Sequence, residues 1–227
     1  MPDKVSWRLN GAQANLVCRE LRGAIDARAP RHGLCNVSLD ERRLVKSNFL
    51  GIDIDAGDPH VLADLYQRGG DLVARYAQTP ARPFAVLVYW RAGLISIDSG
   101  KYPYVDLLVS VETSLLESRP RLQAHTRLAR SVVEIISREG LSYCLARFPD
   151  EATSYIELCH PDDALTTSHE PTDDGAKVTT RLFGQPLEKG VMLRSRLRGL
   201  FVPAGDADSL AQAALVQFGA SPPPLTT

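Results

Sequence analysis

Apolar residues in this chain recur every second position far more often than at helical spacing. From Val105 to Leu115, Val105, Leu107, Val109, Val111, Thr113 and Leu115 share one side, while Asp106, Ser110, Glu112 and Ser114 take the other. Successive strand side chains point to opposite faces, so the pattern predicts a long strand buried on one face. Val61 to Arg68 and Asp71 to Gln78 flank Gly69-Gly70, a pair suited to the positive φ of a tight hairpin turn. Phe84 to Trp90 is apolar throughout and predicts a strand buried on both faces. Leu94 to Asp98 predicts another, ending at Ser99-Gly100.

Further strands are expected at Val132 to Ser137, Leu141 to Phe148 and Ser154 to His160, separated by turn-forming residues. Arg121 to Ile136 also fits a helical face, but its β-branched residues and its period-two neighbours favour strands. Thr167 to Ala176 is polar, contains Pro171 and Asp173-Asp174-Gly175, and is expected to be an exposed loop. Strand character resumes at Lys177 to Phe183 and Gly190 to Val202. One helix is expected, Leu210 to Phe218, capped by Asp208 or Ser209 and closed by Gly219. The sum is an all-β chain: a large antiparallel β-sandwich with one short C-terminal helix, occupying 1–220 as a single domain, with 221–227 as an extended tail.

Composition fits that picture. The chain has 227 residues, is 44% hydrophobic and 23% charged, and balances 26 Lys plus Arg against 27 Asp plus Glu. Extensive disorder and a polybasic nucleic-acid tail are disfavoured, and no nucleic-acid partner is expected. Met1 to Gly11 has no apolar core of a signal peptide, and Phe84 to Trp90 is too short to span a bilayer, so a soluble cytoplasmic protein without membrane association is expected. The scattered Cys18, Cys35, Cys144 and Cys159 have no zinc-ligand spacing and are expected as free thiols. Only five of the cations are lysine. Arginine presents a flat fork of donors for carboxylates, phosphates and hydroxyls, so the position of the 21 arginines matters.

The hairpins, the aromatic-basic segment Tyr89-Trp90-Arg91, the stretch Tyr155 to Asp163 and the late arginine-rich strand resemble the large β-sandwiches of the galactose-mutarotase-like superfamily. The resemblance implies a sandwich whose concave sheet holds carbohydrate, as in the epimerases, lyases and non-catalytic domains of that superfamily. Its members are often longer than this chain, which bears on whether a full catalytic apparatus is present.

In Val191 to Leu200, strand alternation places Arg194, Arg196 and Arg198 on one face, opposite Val191, Leu193, Leu197 and Gly199. Three adjacent guanidinium groups require neutralisation, by an anionic ligand or by acidic residues on a neighbouring strand. Glu157, alternating with Tyr155 and Cys159, is a candidate general base if it lines a groove, and otherwise a hydrogen-bonded structural carboxyl. Alternation sends it away from His160. His125, beside Arg121, Gln123 and Arg127, is a second candidate base or a merely satisfied polar side chain. Trp90 and Tyr102 are candidates for stacking on a sugar ring, against the usual fate of strand aromatics as core. Asp53, Asp55, Asp58 and His60 lack a calcium loop's spacing and its terminal glutamate, and no metal or other cofactor is expected. Phosphate-binding, dinucleotide, nucleophile-elbow and zinc-protease motifs are missing from the sequence.

These observations point to a carbohydrate-handling sandwich that binds a saccharide, acidic in one version, on a concave sheet. A sugar epimerase or polysaccharide lyase using Glu157 or His125 as base is one alternative, and a structural or assembly protein is the other. The sequence leaves open whether the chain is an enzyme.

Overall fold

The structure, a computed structural model, describes residues 5–54, 62–138, 141–149 and 152–222. It is an all-β sandwich. One layer is an eight-stranded antiparallel sheet built from β7 (Leu62–Arg68), β8 (Asp71–Tyr76), β9 (Ala85–Ile97), β10 (Gly100–Glu112), β13 (Val132–Arg138), β14 (Leu141–Arg147), β15 (Thr153–Cys159) and β19 (Met192–Pro203). Its order, β13-β14-β15-β19-β10-β9-β8-β7, joins two local meanders through the last strand of the chain. The arginine-rich strand therefore lies in the middle of the sheet.

The other layer holds two smaller sheets. One is a five-stranded meander of β1 (Val5–Asn10), β2 (Gln13–Cys18), β3 (Leu21–Asp26), β4 (Cys35–Leu39) and β5 (Arg42–Arg43). The second orders β16 (Ala164–Thr172), β17 (Gly175–Leu182), β12 (Leu122–Ala129) and β6 (Asn48–Asp53). A bridge between Leu34 and Phe49 connects them, and β11 (Glu117–Ser118) pairs with β18 (Leu187–Glu188) at one end.

Between the layers lies one contiguous core. Trp90, Leu107, Val109 and Phe201 of the large sheet pack with Leu16, Ile25, Phe49 and Val178 of the opposite layer. Phe49 meets Tyr155 and Phe201 edge-on, with centroids 4.7 and 5.2 Å away, the offset geometry that aromatic quadrupoles favour. The Trp90 indole donates to the Leu50 carbonyl at 3.2 Å, so its one polar atom is satisfied without water.

Helix α1 (Ala207–Gly219) covers part of the large sheet's outer face. Ala207, Leu210, Ala211, Ala214, Leu215 and Phe218 form its buried stripe, at helical spacing, against Ile95, Leu145, Ile156, Leu158 and Leu200. It begins earlier than expected. Asp206 occupies the cap position without a side-chain hydrogen bond, the Ser209 hydroxyl donates to the Asp206 carbonyl, and Gly219 is the last helical residue.

Three other expectations need correction. The two strands expected on either side of Gly93 form one 13-residue strand, β9. Gly93 makes no turn; the Tyr104 ring lies so close over it that a Cβ would sit 2.5 Å from the Tyr104 hydroxyl. Strand β10 ends at Glu112, because Thr113 donates to the Pro83 carbonyl and accepts from the Leu115 amide, and Leu115 is exposed. The expected loop at Thr167 to Ala176 is mostly strand β16, which turns at Asp173-Asp174 into β17. An edge strand tolerates polar side chains and Pro171, which is why its composition reads as loop. Arg121 to Ile136 is β-structured, in β12 and β13.

Candidate functional site

The outer face of the large sheet left uncovered by α1 is organised in transverse rows set by register. Arg68, Asp71, Arg91, Asp106 and Arg198 are successive partners across β7, β8, β9, β10 and β19, so their charges alternate along five strands. Cross-strand neighbours of opposite sign attract, and here the pairs are two-pronged. Arg91 donates to Asp71 at 2.6 and 2.8 Å, and Arg198 donates to Asp106 at 2.6 and 2.9 Å. The hydrogen bonds from Arg91 to Asp71 outweigh burial and raise the arginine's pKa. Arg198 is also stacked between Tyr104 and Phe218, 4.1 and 4.6 Å from the ring centroids, where the helix cover begins.

The adjacent row runs Tyr66, Val73, Tyr89, Leu108 and Arg196. Val73, Tyr89 and Leu108 form a small apolar cluster, and Arg68 lies 5.8 Å over the Tyr89 ring. Tyr66 is exposed at the outer end. Arg196 pairs with Asp163 at 2.9 Å and donates to the Ser221 carbonyl at 3.0 Å.

One row further on are Asp64, Arg75, Leu87, Ser110 and Arg194. A cavity of about 250 Å³ lies at this end, lined by Asp64, Tyr66, Arg75, Ser110, Glu112 and Met192. Arg194 is exposed, contacts the Met192 sulfur at 3.6 Å, and has no ion pair with a carboxylate among the described residues. The three arginines do share one face, as alternation requires, but two are neutralised by Asp163 and Asp106. Arg194 is the one whose charge remains directed to solvent.

The other candidates lie elsewhere. Glu157 faces the interior between the layers and is 4% exposed. Its Oε2 accepts hydrogen bonds from the Thr126 and Tyr155 hydroxyls, and Thr126 in turn accepts the Leu50 amide at 3.0 Å. Burial raises the Glu157 pKa, against the opposing effect of those two donors. This is the setting of a hydrogen-bonded structural carboxyl, the alternative to a groove-lining base. His125 is half-buried on the outer face of the four-stranded sheet, between Gln123 and Arg127. Burial lowers its pKa, while a hydrogen bond to the Arg31 backbone opposes that shift. Glu157, His125 and the arginines thus lie on three different faces: the interior, the outer face of the four-stranded sheet and the outer face of the eight-stranded sheet.

Trp90 is fully buried in the central core, and Tyr102 is half-buried against the cluster beneath α1. Neither reaches the open face around Arg194. Asp55, Asp58 and His60 lie outside the described residues, and among the described residues no group of three or more His, Cys, Asp or Glu has the proximity needed to hold a metal. All four cysteines are free thiols, and no described helix is long and apolar enough to cross a membrane.

Solved structures share this architecture. A human-microbiome protein described as a kojibiose phosphorylase superposes with a TM-score of 0.52 at 9% identity, covering 95% of this chain and 33% of its own. A polysaccharide lyase gives a TM-score of 0.52 at 10% identity, covering 94% of this chain and 34% of its own. The chain spans about a third of the length of these structures. At such identities the likeness establishes the fold. No protein-family model matches the chain, and no curated protein does.

Sequence reading missed Arg68, Asp71 and Asp106 as parts of the face. Arg68 and Asp71 flank the Gly69-Gly70 turn and could have been paired from the hairpin alone. Asp106 meets Arg198 only through the pairing of β10 with β19, 92 residues apart, which no local pattern announces.

Proposed function

We propose that the chain is a carbohydrate-binding β-sandwich that holds an acidic saccharide on the open outer face of its eight-stranded sheet. The observation that carries this reading is Arg194, an exposed cation lacking a carboxylate partner among the described residues, on a face that also presents Tyr66 and the cavity at Glu112. Arginine supplies a fork for a sugar carboxylate, tyrosine offers a flat apolar face to ring C–H groups, and the charged row beyond them is held rigid by its own pairs. Both structures of similar fold are described as carbohydrate-active proteins, which supports the substrate class. The galactose-mutarotase-like resemblance belongs to the same reading.

No catalytic step is assigned. A general base must reach the proton it abstracts, and Glu157 and His125 are separated from this face by the sheet and by the core. Calorimetric titration with a uronic-acid tetrasaccharide and a neutral tetrasaccharide tests the reading. Binding of the acidic ligand, weakened about tenfold in Arg194→Ala, is expected from the loss of one charge-assisted contact. Equal affinity of Arg194→Ala and the parent protein would remove the residue assignment.

A further inference from the structure

A second cavity lies on the opposite side of the sandwich from that face. A cleft of about 740 Å³ is formed by the outward residues of β2 to β5 and the segment leading into β6. Its size falls within the roughly 300 to 1,000 Å³ of small-molecule sites. Three cations line it, Arg22, Arg43 and Lys46, together with the amides of Asn15, Asn36 and Asn48, and no Asp or Glu does.

The sheet itself spaces these groups. Arg22 pairs in register with Ser38 and Ser38 with Arg43, so the two arginines stand on one row two strand spacings apart, about 9.5 Å between backbones. Arg22 is steadied by the Arg19 and Leu21 carbonyls, which leave its charge unneutralised. Lys46 has a φ of 59° in the turn before β6. None of Arg22, Arg43 and Lys46 is ion-paired with a carboxylate among the described residues. A recess of about 80 Å³ shares Arg43 and extends the cleft to Arg130, a fourth cation.

On a chain with a net charge of -1, this concentration of positive charge without carboxylates calls for an anionic ligand. Three cations spread over two strand spacings can engage more than one anionic group at once. The interleaved amides donate and accept, as hydroxyl-rich ligands require, and no aromatic side chain lines the cleft to stack nucleobases. We infer that the cleft over β2 to β5 is a second binding site, specific for an anionic saccharide segment bearing carboxylate or sulfate groups. It shares no residue with the face around Arg194, and stands or falls separately.

The test is isothermal titration of the whole chain with a uronic-acid tetrasaccharide, a sulfated disaccharide, a neutral tetrasaccharide, inorganic sulfate and a single-stranded oligonucleotide. The parent and the variants Arg43→Glu/Lys46→Glu, Lys46→Ala and Arg194→Glu are compared, after thermal unfolding shows that each is folded. Either anionic saccharide should bind, with affinity at the cleft falling at least tenfold in the double variant, several-fold in Lys46→Ala, and unchanged in Arg194→Glu. The carboxylated and sulfated arms decide which anion is preferred. Sulfate or the oligonucleotide binding as tightly as the saccharides would overturn the inference, as would saccharide affinity indifferent to Arg43 and Lys46. Loss of binding only in Arg194→Glu would leave the open-face reading intact and reject the cleft.

Discussion

Asp106 and Arg198, partners on adjacent central strands, form a two-pronged ion pair with contacts of 2.6 and 2.9 Å while their side chains are only 8% and 11% exposed. Burial pushes the Asp106 carboxyl up, and the hydrogen bonds and charge of Arg198 oppose that push. Removing one partner strands the other charge in a low-dielectric setting. Asp106→Ala should lose about 3 to 5 kcal/mol in urea unfolding, whereas Asp106→Leu/Arg198→Met, which removes both charges, should lose much less. Equal losses in the single and double variants would show that the pair's charge is not what matters.

Glu157 predicts an opposite kind of sensitivity. Its carboxyl is buried between the layers, bonded to two hydroxyls, and its folded pKa is raised, first by burial. A raised folded pKa means that the folded state holds its proton more tightly than the unfolded state. Stability from this group is therefore fully present below the unfolded carboxylate range near pH 4.5 and declines as pH rises through the folded pKa. Glu157→Gln should flatten that decline and equal or exceed the parent at pH 8. An unchanged slope of stability against pH would contradict the assignment.

Gly199 lies opposite Glu157 on β19, where an added Cβ would fall 2.5 Å from the Tyr155 hydroxyl. The bare backbone leaves the Tyr155 ring in place to donate to Glu157 at 2.8 Å. Gly199→Ala should displace the ring and cost about 1 to 3 kcal/mol, the scale of an unmade buried hydrogen bond, read as a lowered unfolding midpoint. In Tyr155→Phe the hydroxyl is already gone, so the same substitution should cost measurably less.

His125 should make the fold acid-sensitive. Burial lowers its pKa, so it contributes stability above the ordinary histidine range near pH 6.5 that is lost as pH falls through the folded value. His125→Asn should reduce the drop in stability between pH 7 and pH 5. A drop of the same size in both proteins would place the acid response elsewhere.

Strand type and facing were legible in the sequence where alternation ran long. The outward parity of Asp106 and Ser110, the shared face of Arg194, Arg196 and Arg198, and the Gly69-Gly70 hairpin all follow from period two alone. The short strands of the N-terminal sheet carry the same signal, as in Ala14, Leu16 and Cys18, but over only six residues. What local pattern could not supply was the strand order. Because β19 inserts between β15 and β10, it decides both that Arg198 meets Asp106 and that Glu157 points inward opposite Gly199. The break read between Trp90 and Leu94, which spans Gly93, and the loop read around Pro171 misled for a related reason. A glycine made room for Tyr104, and a proline sat on a sheet edge, and each resembles a turn until its neighbours are known.

The open face also predicts how ligand binding should respond to its aromatic residue and to salt. Tyr66→Ala should weaken a saccharide by about 1 kcal/mol, roughly fivefold, through the lost apolar contact. Raising ionic strength should weaken an acidic saccharide and leave a neutral one little changed, because Arg194 is exposed and therefore screened.

Amide chemical-shift mapping during titration with a uronic-acid tetrasaccharide tests the location of the site most directly. The largest shifts should fall on β7, β8, β9, β10 and β19 around Tyr66, Ser110 and Arg194, and should vanish in Arg194→Glu while those on the β2 to β5 cleft persist. Saturable binding with no shift on those five strands would contradict the account.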